Sequence, residues 1–291
     1  MVRPPRRRAR AVLTRAALLA LALCAGAAPA VAAPSWEVTL ALRVVPSNGG
    51  AVTIRVALPP SDATQRLGAV AVAGRGLKAE IVRDAAEPHV LLKGRLKGPR
   101  RIAVTYQVSR QLDAAPLPRI APLEVPPAAL LPYLTPSPLF QSRSILVRDF
   151  LETNVSPLLD APGPADLVRS VLQVTRARLV HARDGRSLTL DVIRSGRGKR
   201  IGIERVFTTF MRAARVPARF VEGLDLRSTT RRKRVFWTDV WARERWWPVS
   251  ASAGWVGRQP RAWIALAYDG QRVVRVEGPA TVAYSVQVSP R

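Results

Sequence analysis

Between Trp36 and Leu58 apolar residues take every second position within two short runs. The first holds Trp36, Val38, Leu40, Leu42 and Val44. The second, past Asn48-Gly49-Gly50, holds Val52, Ile54, Val56 and Leu58. Side chains of a strand alternate between its two faces, so each run is a strand with one buried face. The Asn-Gly-Gly spacer reads as a tight turn, and the pair is expected to form a β-hairpin. Shorter candidates follow at Ala69–Ala73, Ala79–Val82, Val90–Leu92 and Ile102–Val108. Short strands at this spacing argue for a β-sandwich over residues 33–110.

Residues 1–32 read as an address. Arg3, Arg6, Arg7, Arg8 and Arg10 precede an apolar, alanine-rich run that ends at Ala30-Val31-Ala32. A basic start, an apolar centre and a small-x-small end make a secretory signal peptide. The alternative is an uncleaved anchor helix, since Ala16 to Ala33 carries no charge. Cleavage after Ala32 would also remove Cys24, the chain's single cysteine. With two histidines besides, the composition excludes disulfide scaffolds and Cys/His metal modules, and no metal or cofactor is expected. The expected location is periplasmic or extracellular. No other stretch is long and apolar enough to span a bilayer.

Residues 111–164 hold eleven of the 25 prolines, including Pro126-Pro127 and Pro162-Gly163-Pro164. Proline fixes φ and removes a donor, so this segment reads as a connector, with one short helix near Ser144–Leu151. In residues 165–291, Leu167, Val168, Val171, Leu172 and Leu179 follow helical spacing. A second helix fits Ile203 to Arg215, ended by Pro217. Strands fit Arg219–Leu226, Val235–Ala242, Trp246–Ser250, Ile264–Tyr268, Val273–Val276 and Val282–Val288, with Asp269-Gly270 as a turn. Helices followed by strands give an α+β pattern.

The stretch Gly198–Leu224, "GKRIGIERVFTTFMRAARVPARFVEGL", resembles the core of bacterial transglutaminase-like domains. Those carry Gly-x-Cys, an amphipathic helix, a Pro-Ala-Arg turn and a strand ending in Gly. "VFWTDVW" resembles the strand bearing His-Ala-Trp-x-Glu, and "RWWPVSAS" the Trp-x-Pro-x-Asp segment. "LPPSDATQR" upstream is also similar to what precedes such domains. The resemblance implies a papain-like α+β core. In active members a cysteine at a helix amino end is made a thiolate by the helix and a histidine, which a carboxylate orients. Here the cysteine, histidine and aspartate positions match Arg200, Val235 and Ser250. The chain looks closest to an inactive subgroup fused to seven transmembrane helices. Here no such bundle follows Arg291, so a separate membrane subunit would have to supply it.

Arg197, Lys199 and Arg200 at a helix amino end suit a bound carboxylate or phosphate. Arg200 could instead pair internally with Asp239 or Glu204. Six of seven tryptophans lie between Trp237 and Trp263, where they either stack on a ligand or pack inside. Trp237, Asp239 and Trp241 share one strand face. Arg231–Arg234 form a basic run, either a solvated loop or a contact for an anionic surface. The net charge of +26 fits polyanions in general, which ranks nucleic acid low for an exported chain. A serine hydrolase built on His181 lacks a nucleophile elbow. The expected function is therefore that of a non-catalytic binding or scaffold module for a peptide, an anionic envelope polymer or a membrane partner. The competing class is a degenerate acyl transferase or hydrolase with an unrecognised site.

Overall fold

A computed structural model describes residues 33–291 apart from 48, 63, 84–87, 112–117, 119, 121, 124, 160–165, 228–232, 258 and 261. The expected signal segment with Cys24, the Pro162-Gly163-Pro164 joint, and Arg231 and Arg232 lie outside the described residues.

The strands of the amino-terminal region are β1 (Ser35–Pro46), β2 (Ala51–Ala57), β3 (Gln65–Ala73), β4 (Lys78–Val82), β5 (His89–Arg95) and β6 (Arg100–Arg110). A 3-10 helix (Ala128–Tyr133) leads to α1 (Ile145–Asn154), α2 (Ser156–Leu159) and α3 (Leu167–Arg178). Then come β7 (Val180–Arg186), α4 (Thr189–Ser195), β8 (Arg197–Gly198) and α5 (Arg200–Ala213). The remaining strands are β9 (Ala218–Asp225), β10 (Lys233–Ala242), β11 (Arg245–Ser250), β12 (Trp255–Val256), β13 (Trp263–Tyr268), β14 (Val274–Glu277) and β15 (Ala280–Pro290). The fold is α+β, as expected.

Two four-stranded antiparallel sheets, β15-β1-β6-β3 and β14-β2-β5-β4, make the sandwich. The expected hairpin is corrected here: β1 pairs with β15 and β6, and β2 with β14 and β5. Alternation demanded a buried face on each strand. The fold meets that demand by setting the two faces opposite each other, so Val38, Leu40, Val52 and Ile54 all pack in one core. The left-handed Gly49 sits at the crossing between sheets. The last two strands, which the sequence grouped with the C-terminal region, complete the sandwich edges. Val282 and Val286 lie half-buried against its core, and Val288 is buried in it.

Part of the proline-rich segment, from the 3-10 helix to α1, is packed. Leu130, Phe140 and Val147 are buried, because the apolar residues between its prolines dock on the C-terminal region. There a five-stranded sheet, β12-β11-β10-β9-β13, carries α5 on one face. Val206, Phe207, Phe210 and Met211 are fully buried at spacings of one helical turn. Burying each such side chain contributes about 1.5–3 kcal/mol. Arg215 in the left-handed region, followed by Val216 and Pro217, ends the helix and turns the chain into β9. Leu224, Ile264 and Leu266, on β9 and β13, continue the sandwich core, so the two regions share apolar packing. Gly223 lies where β9 meets its neighbours: a Cβ there would overlap the Ile264 carbonyl oxygen and the Trp237 ring. Among the described residues no helix is long and apolar enough to cross a membrane.

Candidate functional site

Helix α5 begins without the aids that helices usually recruit. Lys199 at its N-cap makes no side-chain capping bond, and the first turn holds no acid. Arg197, Lys199 and Arg200 are exposed around this end. Arg197 reaches Asp184 at 3.4 Å across the surface. Arg200 does not pair with Asp239 or Glu204, because both carboxylates are engaged inside the protein.

Glu204, one turn along α5, is completely buried. Its Oε1 accepts from Ser250 Oγ at 2.6 Å, Ser252 Oγ at 2.7 Å and Ser252 N at 2.8 Å, and its Oε2 accepts from Ala251 N at 3.1 Å. Burial drives its pKa up to about 7, against the lowering effect of these four bonds. Ser250, at the aspartate position of the resemblance, is thus a donor to a carboxylate supplied by the helix. From the sequence, Glu204 reads only as a possible internal partner of Arg200. The signal for its burial was its place among Ile203, Phe207 and Met211 on the apolar face of α5.

Alternation on β10 separates the remaining positions. Thr238 faces α5 and shares a 2.8 Å hydroxyl contact with Thr208. Val235, Trp237 and Asp239 therefore face the other way. Val235 is buried with Val221, Trp237, Trp263 and Ala265. Trp237 and Asp239, both expected to bind, are buried and do not join the arginines at the head of α5. Trp237 Nε1 instead donates to Asp239 Oδ1 at 2.8 Å.

The second Asp239 oxygen accepts from Arg219 Nε at 2.9 Å, and Arg219 also reaches Asp62 Oδ2 at 2.8 Å. Arg219 is the arginine of the Pro-Ala-Arg turn, and Asp62 belongs to the "LPPSDATQR" segment. The guanidinium lies over the Tyr268 ring at 3.9 Å and the Trp246 ring at 4.5 Å. The Tyr268 hydroxyl donates to Asp62 at 3.2 Å. Burial disfavours the Arg219 charge, but Tyr268, Asp239 and Asp62 outweigh it and raise its pKa. Burial also pushes both carboxyls up. Arg219 overcomes this at Asp62, aided by the Thr64 hydrogen bonds, and fails to at Asp239, which is the more enclosed. The group clamps the sandwich to the five-stranded sheet. Gln65 adds to the clamp, donating to the Ala265 carbonyl at 3.4 Å and accepting from its N–H at 3.0 Å.

His181 is exposed on β7, in register with Gly198. No serine is bonded to it among the described residues. Nor is there a group of three His, Cys, Asp or Glu side chains placed to hold a metal.

Beside the head of α5 lies a cleft of about 270 Å³ between α5, β9, β10 and the segment leading into β14. Arg205, Arg234, Arg272 and Glu222 line it together with Phe220 and Tyr284. Nothing local foretold it, since its residues come from distant segments.

Residues 162–251 match the core of the transglutaminase-like superfamily, a span that includes Arg200, Val235 and Ser250. No curated protein matches the chain. Among solved structures it is similar to a candidate cysteine protease from Cytophaga hutchinsonii. That likeness has a TM-score of 0.66 and 13% identity, and covers 89% of this chain and 91% of the other. It establishes a shared fold. A candidate protease from Parabacteroides distasonis aligns with a TM-score of 0.29 and 14% identity, over 73% of this chain and 43% of the other.

Proposed function

We propose that this chain is an exported, non-catalytic recognition module built on a transglutaminase-like domain. One observation carries the reading: the three positions that would hold nucleophile, base and orienting acid hold Arg200, Val235 and Ser250, and each serves another purpose. Arg200 points to solvent. Val235 is packed among tryptophans. Ser250 is bound to Glu204. Thiol acyl transfer needs a thiolate, and Cys24, inside the apolar leader, is the single thiol in the chain.

Arg197, Lys199 and Arg200 supply a positive field at the surface that attracts an anionic peptide, an envelope polymer or the anionic face of a membrane partner. Trp237 and Asp239 contribute from within, by holding β10 to β9 through Arg219. The competing reading, a hydrolase with a site of another kind, draws on the fold shared with the candidate protease. An amine-incorporation and glutamine-deamidation assay on the purified protein, run beside a peptidase assay on casein, separates the two. No turnover above buffer is expected in any of them. Turnover that survives Cys24→Ser would overturn the recognition reading.

A further inference from the structure

The cleft beside α5 carries more positive charge than it compensates. Three guanidinium groups, from Arg205, Arg234 and Arg272, line it against one carboxylate, Glu222. Glu222 Oε1 is taken by Arg234 at 2.6 Å, which leaves its Oε2 able to accept. Arg205 gives one terminal nitrogen to the Ser187 carbonyl at 3.1 Å, while its Nε is buried without an acceptor among the described residues. A buried donor left unpaired is unfavourable until a partner arrives. Arg272 is exposed at the rim with no ion pair among the described residues. Ile201, Val274 and Tyr284 give it apolar surface, backed by the buried Phe220, which stacks against Phe236 at 5.8 Å.

We propose that this cleft binds the carboxyl-terminal residue of a peptide, its carboxylate held by Arg205 and Arg272 and its side chain laid against Ile201, Val274 and Tyr284. The chemistry follows from what the site offers. A guanidinium edge matches a carboxylate with two parallel bonds. The free oxygen of Glu222 accepts the peptide N–H that a terminal residue presents and an inorganic anion lacks. The volume lies just below the range of cavities for drug-sized ligands, so it admits one residue rather than a long segment. Burial holds the Arg205 guanidinium below its ordinary basicity, with Glu222 opposing and Arg234 reinforcing this, and an incoming carboxylate relieves it. The inference rests on the recognition reading and gives it a location.

The test is isothermal titration of the purified protein at low salt with acetyl-Leu-Leu bearing a free carboxylate, its carboxyl-terminal amide, and inorganic phosphate. The acid is expected to bind at least tenfold tighter than either the amide or phosphate. Arg272→Gln, at an exposed position, keeps the fold and is expected to weaken the acid at least tenfold. Arg205→Gln acts likewise where its thermal unfolding is unchanged. Arg200→Gln, outside the cleft, shifts affinity less than threefold. Equal binding of acid and amide, phosphate binding as tightly as the acid, or no binding overturns the proposal. Loss of binding in Arg200→Gln alone moves recognition to the head of α5 and overturns the cleft while sparing the recognition reading. Hydrolysis of the probe overturns that reading instead.

Discussion

Ser250 Oγ donates to Glu204 Oε1 at 2.6 Å, which ties the end of β11 to a buried acid on α5. The Glu204 carboxyl binds its proton up to about pH 7 in the folded chain, and only up to its ordinary value of 4.5 when unfolded. Between those values the native state holds more protons, so stability is greatest below the window and falls as pH rises through it. Urea unfolding at pH 5 and pH 8 is expected to show the protein more stable at pH 5, and Glu204→Gln is expected to remove that difference.

Placing an acid at position 250 tests the same contact from the other side. Ser250→Asp sets two carboxyls within hydrogen-bond distance in a fully buried place, where like charges cannot both ionise. Ser250→Ala removes one donor, at about 1–3 kcal/mol. The aspartate variant is expected to be the less stable of the two at pH 8, and to recover toward the alanine variant at pH 5. Thermal unfolding at both values checks this.

Arg219 holds Asp62 from the sandwich and Asp239 from β10 together. Arg219→Met leaves two buried carboxylates facing one another and is expected to destabilise by about 3–5 kcal/mol. Asp62→Asn in that background is expected to recover part of the loss, which a double-mutant cycle in urea would measure.

Gly223 closes the motif that ends β9, and the crowding around it comes from a backbone carbonyl as well as a ring. Gly223→Ala is expected to cost more than 2 kcal/mol, since a carbonyl in a sheet cannot step aside as a flexible side chain can. Soluble yield and the urea midpoint report it.

Cleavage after Ala32 predicts a first residue of Ala33. Intact-mass measurement of protein recovered from the envelope fraction, with Arg3 to Arg10 either present or gone, decides it.

Much of the architecture was legible because it rests on local pattern. The strands of the sandwich, the apolar face of α5 and the Asp269-Gly270 turn stand close to where alternation, helical spacing and turn chemistry put them, with β3 the furthest off because it starts at Gln65, ahead of the expected Ala69. What escaped depends on partners far along the chain. Alternation in β1 and β2 fixes which side chains are buried but not which strand lies alongside, so the hairpin and the crossing between sheets read alike. Asp62 and Arg219 meet across 157 residues. The cleft arginines lie on α5, β10 and the loop before β14, and nothing local marks them as neighbours. The short β7, β8 and β12 were invisible because strands of two residues, or strands largely exposed, leave no periodic trace.

The pairing of β1 with β15, from Trp36 opposite Pro290 to Pro46 opposite Ala280, has a consequence for biogenesis. β1 keeps one edge unpaired until β15, far along the chain, has been synthesised. Every truncation upstream of Ala280 deprives that sheet of an edge and leaves a long apolar strand open to foreign pairing. The sheet therefore closes only once β15 has been made, and a ribosome-bound chain released before that point keeps β1 as a bare edge.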